Sequence, residues 1–136
     1  MVDQFEIRLP EFPRGIHLIT HHIEKQLISL PEKGMINIFI KHTSAGLTIN
    51  ENADPTVRTD LETYFDKNVP ENAPFYRHTS EGADDMPAHI KSAIIGTSLN
   101  IPVTNGRLNL GTWQGIYLCE FRNHGGSRKL LITVIS

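Results

Sequence analysis

The amino-acid sequence predicts an α+β fold: one domain spanning residues 1–136, built as a largely antiparallel β-sheet sandwich with about three helices. Three observations carry that expectation. At 136 residues the chain is long enough to bury one hydrophobic core and too short for two. Roughly six to eight runs alternate at period 2 or are β-branched throughout, while only three stretches carry helical spacing. Hairpin signals, rather than a regular strand–helix rhythm, join the later strands, which favours antiparallel pairing.

Taken in order, Phe5 to Leu9 alternate as a strand, and Pro10 and Pro13 close that run. From Thr20 the spacing of Ile23, Leu27 and Leu30 predicts a helix that Pro31 and Gly34 stop. Met35 to Ile40 is apolar and β-branched, a strand that runs into Lys41-His42. A second strand follows across Ala45, Leu47 and Ile49, with Thr48 and Asn50 on its other face. Asp54-Pro55 is a helix start, since Asp at the N-cap and Pro in the first turn each dispose of an orphan backbone donor. Val57, Leu61, Tyr64, Phe65 and Asn68 form its expected inward stripe. A polar loop then leads to a short helix capped by Asp84 or Asp85, with Pro87 and His89 in its first turn. Ile90, Ala93 and Ile94 are its expected apolar stripe and Gly96 its end. Leu99 to Val103 reads as a strand, Asn105-Gly106 as a hairpin turn, and Thr112 to Arg122 as a long strand. Lys129 to Ile135 is apolar enough on both faces to be central in a sheet, with His124-Gly125-Gly126-Ser127 as the preceding turn.

Composition excludes several function classes. A net charge of −2 and an isoelectric point near 6.4 give no reason to expect nucleic acid or an anionic membrane as partner. Cys119, the single cysteine, lies in an apolar run, so no internal disulfide can form and a reducing compartment is expected. There is no run of ~20 apolar residues to span a bilayer and none of signal-peptide length near the start, so the expected location is cytoplasmic. Walker, dinucleotide-binding and nucleophile-elbow motifs are all missing.

The densest chemistry lies between His78 and His89, which packs two imidazoles with Glu81, Asp84 and Asp85. Neutral imidazoles and carboxylates are ligands for a borderline divalent metal such as zinc, although one or both Asp side chains could be spent on capping the helix. The same histidines could transfer protons or bind anions. His42 ends an apolar strand before two hydroxyls and Gly46; it is either a core-edge histidine or a group handed by a sheet to a loop. Asn50, Glu51 and Asn52 either line a pocket or make a turn. Glu120, flanked by Leu118, Cys119 and Phe121, costs several kcal/mol to bury unless a cation meets it, so it is paired or functional. Gln114 lies six residues from Glu120 on the same face, ~20 Å along a strand, too far for one small ligand in one chain. His124 to Lys129 is a glycine turn with two cations, either a phosphate cradle or an ordinary hairpin.

Together His42-Thr43-Ser44-Ala45-Gly46-Leu47-Thr48-Ile49-Asn50-Glu51, Tyr76-Arg77-His78, Ala88-His89-Ile90-Lys91, Gly111-Thr112-Trp113-Gln114 and Glu120-Phe121 closely resemble the YjbQ family, in order along nearly the whole chain. The resemblance implies an α+β domain assembling as a homotrimer, with sites near subunit interfaces where Gln114 and Glu120 of neighbouring chains could meet. It also implies the family's label of secondary thiamine-phosphate synthase. By position it carries over His42, His78, His89, Gln114, Glu120 and Arg128. In this chain Glu-Gly-Ala-Asp-Asp-Met-Pro stands where many relatives have a shorter loop with Asn.

The expected function is therefore that of a small-molecule enzyme acting on a phosphorylated metabolite. His42, His78, His89 and Glu120 are its expected catalytic groups, and Asn50, Gln114 and Arg128 its expected substrate contacts. A divalent metal, Mg²⁺ or Zn²⁺, would be held by His78, His89 and Asp85. The alternative is a trimeric metal- or small-anion-binding protein without catalysis.

Overall fold

Period-2 burial organises the chain into two stacked antiparallel sheets, seen in a computed structural model that describes residues 1–136. The elements are β1 (Val2–Arg8), β2 (Gly15–Leu18), α1 (Thr20–Glu24), β3 (Lys33–Ile40), β4 (Ala45–Glu51), α2 (Pro55–Asn68), α3 (Asp85–Ile95), β5 (Ser98–Thr104), β6 (Arg107–Leu108), β7 (Gln114–Glu120) and β8 (Lys129–Ile135). One sheet has the order β1-β8-β3-β5-β6 and the other β2-β7-β4. β8 is central, paired to β1 and β3. Asn105 and Gly106, both at positive φ (54° and 71°), make the β5–β6 turn, a backbone that this dipeptide adopts at low cost.

Ile36, Ile38, Ile40, Ile101, Leu130 and Ile132 of the larger sheet meet Leu47, Ile116 and Leu118 of the smaller in the main core. β7 is buried on both faces from Gly115 onward. Its second face places Tyr117 and Cys119, with Phe121 just beyond, in a second cluster with Ile16 and Ala88, and Leu61 of α2 packs against it. Burial of Cys119 pushes its thiol up to about 12, so it acts as a small apolar residue. α3 lies close on β4 because Gly46 has no side chain. A Cβ there would stand 2.8 Å from Ile95 Cγ2 and 2.9 Å from the Gly96 carbonyl, which accepts from Leu47 N at 3.1 Å.

Several elements differ from their sequence expectation. The helix from Thr20 ends at Glu24, not Leu30: Gln26 N and Leu27 N bond three residues back, and Leu27 and Leu30 reach the core from a loop. Residues 15–18 form a strand because β7 pairs with them on the side away from β4, a partner 99 to 105 residues away that local pattern does not reveal. In α2, Tyr64 (63% exposed) and Asn68 point outward, and Phe65 with the following Val69 is buried, since the helix packs on β2 and the β7 face. In α3 the buried residues are Asp85, Pro87, Ala88, Lys91 and Ser92, while Ala93 and Ile94 face out. Asp66 and Arg122 pair with the buried Lys91 and Asp85 and make that polar face tolerable, so apolarity misidentified the stripe. His89 is the fifth residue of α3, one turn later than expected.

Candidate functional site

The end of β3 and the start of α3 bring three of the predicted residues side by side. His42, just past β3, accepts the Lys129 N–H at Nε2 (2.8 Å), so the proton of its neutral ring sits on Nδ1. Burial, then the nearby Arg128 charge, lowers its pKa and keeps it neutral. Across a cleft of about 300 Å³ stands His89; Thr43, Ser92, Ala93 and Thr97 complete the lining. His89 Nδ1 lies 2.9 Å from the Thr43 carbonyl, which can only accept, so Nδ1 carries hydrogen and Nε2 turns toward α3's first residue.

That residue is Asp85, 2% exposed. Its Oδ2 lies 2.6 Å from His78 Nε2 and 3.2 Å from His89 Nε2. Glu81 Oε2 stands 3.0 Å from the same His78 nitrogen. The His78–Asp85 hydrogen bond and the two acidic charges raise the His78 pKa. Burial pushes Asp85 up, but the His78 hydrogen bond and the charges of His89 and Arg122 hold it below the ordinary carboxylate range.

The ligand-forming atoms of His78, Asp85 and His89 lie within 4.8 Å of one another. A tetrahedral site with bonds of about 2 Å needs its ligand atoms roughly 3.3 Å apart; the 3.2 Å gap from Asp85 to His89 matches, and the 2.6 Å gap to His78, a hydrogen-bond length, would open by about 0.7 Å around a cation. With its proton fixed on Nδ1, neutral His89 would point a lone pair at a carboxylate oxygen, a repulsion that only a proton or a metal ion between them removes. The donor set therefore fits a divalent cation, with the Thr43 carbonyl orienting the histidine ligand from behind.

Asp84 is the N-cap of α3 by position only. Its side chain makes no capping bond and instead accepts from Arg122 Nε (2.8 Å) and Asn123 N (3.0 Å). Burial would raise its pKa, yet those donors hold it low.

Glu120 and Arg128 form a separate constellation. Arg128 Nε and Nη2 donate to Glu120 Oε1 and Oε2 at 2.7 and 2.6 Å, and Nη2 also reaches Ser44 Oγ at 3.0 Å. Arg128 is 5% and Glu120 1% exposed, so the pair is sealed between the sheets and occupies the guanidinium expected to meet phosphate. A Cβ on Gly125 would collide with both, which explains the glycine in that turn. Asn50 and Gln114 lie together at the far end of the β4–β7 ladder, where Asn50 faces Gly115 and Glu51 faces Gln114. Both side chains bond locally, Asn50 to Glu51 N and Gln114 to Gly111 N. Glu120, opposite Ala45 at the other end, shares no site with them within one chain.

Arg122 is the residue the sequence left without a role. An alternating Glu120-x-Arg122 at the close of an apolar strand was its only signal, and a charge there reads equally well as solvated.

The family model described as UPF0047 protein YjbQ-like matches residues 5–136. The chain belongs to the YjbQ family. Its curated relatives include UPF0047 protein YjbQ of Salmonella typhimurium strain LT2, 57% identical over 133 residues and covering 96% of each chain. A more distant relative from Methanocaldococcus jannaschii is 36% identical over 121 residues, covering 89% of this chain and 85% of its own. Among solved structures, the conserved hypothetical protein TT1486 from Thermus thermophilus superposes with a TM-score of 0.83 at 34% identity, covering 94% of this chain and 97% of that one. A YbjQ-like protein of unknown function from Sulfolobus solfataricus shares the fold at a TM-score of 0.84 and 23% identity, covering 100% and 98%. The fold is thus shared with proteins of Thermus thermophilus and Sulfolobus solfataricus.

Proposed function

We propose that His78, Asp85 and His89 hold a divalent cation and that this centre, with the cleft beside it, acts on a small phosphorylated molecule. The carrying observation is the convergence of three ligand atoms within 4.8 Å, two of them imidazole nitrogens. A bound cation would supply charge neutralisation at phosphate oxygens. The chain's own residues do the rest. His42, neutral and protonated on Nδ1, offers a donor to the cleft; His89 forms the wall shared by cleft and centre; Asp85 balances charge. The family resemblance suggests thiamine-phosphate formation from a pyrimidine diphosphate and a thiazole phosphate as the reaction to assay. The sealed Glu120–Arg128 pair favours cation binding over direct arginine contact as the means of holding phosphate.

Self-association as a homotrimer is part of the proposal. The face of the five-stranded sheet turned away from the core carries exposed Val2, Met35, Phe39 and Ile135. The test is calorimetric titration of the metal-stripped chain with Zn²⁺, followed by a thiamine-phosphate assay with and without the cation. One zinc per chain, lost in Asp85→Asn, is expected; no zinc binding by the wild type overturns the centre. Binding without turnover removes the synthase activity and keeps the binding protein.

A further inference from the structure

Arg122 stands two residues past the end of β7, its side chain 27% exposed. Each of its three guanidinium nitrogens has one partner in the segment leading into α3. Nε donates to Asp84 Oδ2 at 2.8 Å, Nη1 to Asp85 Oδ1 at 2.5 Å and Nη2 to the Glu81 carbonyl at 3.0 Å. The fork therefore fixes the loop at three points, including the residue that faces both histidines.

The consequence for Asp85 is an asymmetric carboxylate. Oδ1 is held by the guanidinium, and Oδ2 alone is turned to His78 and His89. A carboxylate chelates a cation through both oxygens only when both face it, and here one is committed elsewhere. Asp85 then contributes one oxygen beside the two imidazole nitrogens, with exposed Glu81 Oε2, 3.0 Å from His78 Nε2, as a further carboxylate oxygen nearby; a small mixed set of this kind suits a borderline cation at low coordination number. Calcium takes about six to eight oxygens, commonly including a bidentate carboxylate, and magnesium, which binds one or two carboxylates with water, is poorly matched by imidazole; a positive guanidinium beside the carboxylate weakens the pull on either hard cation further.

We infer that Arg122 is a positioning residue that sets the selectivity of the centre, by holding Asp85 to one available oxygen so that zinc or cobalt is taken and magnesium and calcium are refused. The inference rests on the cation centre proposed above. It concerns which cation that centre accepts and which residue outside the ligand set decides this.

Cobalt(II) is the probe, because four-coordinate cobalt absorbs strongly in the visible and five- or six-coordinate cobalt weakly. The full chain is stripped of metal, loaded with Co²⁺ and challenged with excess Mg²⁺ or Ca²⁺, alongside Arg122→Lys and Asp84→Asn. Lysine keeps the charge and loses the fork; Asp84→Asn removes the charge of one partner of the fork, keeps an oxygen that can accept from Nε, and leaves the grip on Asp85. The wild type is expected to show strong bands that neither hard cation diminishes, and Asp84→Asn to match it. In Arg122→Lys the bands weaken, cobalt affinity falls about 10–100-fold as for loss of an outer partner of a ligand, and Mg²⁺ competes. An Arg122→Lys spectrum and competition identical to wild type overturn the role of Arg122 and leave the centre standing, even if the variant melts earlier. Absence of cobalt binding by the wild type removes the centre and this inference together. Should Arg122→Lys fail to fold, the wild-type spectrum still decides: weak, high-coordinate bands overturn the inference.

Discussion

Two arginines flank the turn from β7 to β8, and each grips a buried carboxylate, yet the two grips do different things. Arg128 meets Glu120 through two parallel hydrogen bonds between the sheets, and no oxygen of that carboxylate is left for anything but the chain. Arg122 divides itself among Asp84, Asp85 and a backbone carbonyl at the rim, and leaves Asp85 Oδ2 facing two imidazoles. A sealed pair closes a core; a divided one leaves a charged oxygen on offer. Burial alone does not separate them, since both carboxylates are almost fully covered. What differs is how many lone pairs the arginine takes.

The largest effect should come from breaking the sealed pair. Glu120→Ala strands the Arg128 charge between the sheets and is expected to cost about 3–5 kcal/mol in denaturant unfolding. Replacing both residues with apolar ones of similar size should recover most of that loss; failure to recover it would mean that Glu120 does more than match a charge. Breaking the divided pair should cost less stability and more function. Asp85→Asn is expected to lose about 1–3 kcal/mol, the range for a buried group deprived of its partner, and to show no zinc heat on titration.

Proton linkage sharpens the contrast. The His78 pKa is raised from 6.5, so its contribution to metal-free stability is complete below 6.5 and fades as pH climbs through the raised value. The Asp85 pKa is lowered from 3.8, so its contribution is complete above 3.8 and fades as pH falls through the lowered value. The metal-free contact should thus contribute most between 3.8 and 6.5, followed by unfolding across pH in wild type and His78→Ala. Zinc affinity should run the other way and strengthen as pH rises past the His78 value, because the proton and the metal compete for one nitrogen. The smallest effect is expected at the outward faces. Tyr64→Ser and Ile94→Ser should each shift unfolding by no more than about 0.5 kcal/mol; a loss near 2 kcal/mol from Ile94→Ser would reveal that this face of α3 is covered in solution.

The strands were legible in the sequence because alternation and turn chemistry are local. Ile36, Ile38 and Ile40 are buried as their spacing demands, and Asn105-Gly106 turns as its dihedral freedom allows. The cap at Asp54 was legible for the same reason, its oxygen accepting from Thr56 N at 2.9 Å. The two amphipathic helices were harder, since Tyr64 and Ile94 are apolar and yet outward, and the inner face of α3 is held by polar contacts that hydropathy scores as exposed. His78, Asp85 and His89 stood out as a dense group of ligand types. Their convergence on one oxygen did not, because His78 lies on a loop and His89 on a helix.

By itself the sequence determined the α+β class, most strand positions, and which residue types crowd residues 78–89, all consequences of periodicity and turn preference over a few residues. Only the tertiary structure decided which arginine meets which acid, that Thr43 orients His89, and that one oxygen of Asp85 stays available. Those partners lie 37 residues apart for Arg122 and Asp85 and 46 for His89 and Thr43. Hydrogen bonds across such distances follow from how α3 settles on β4 and β7, and no local rule of the chain carries that information.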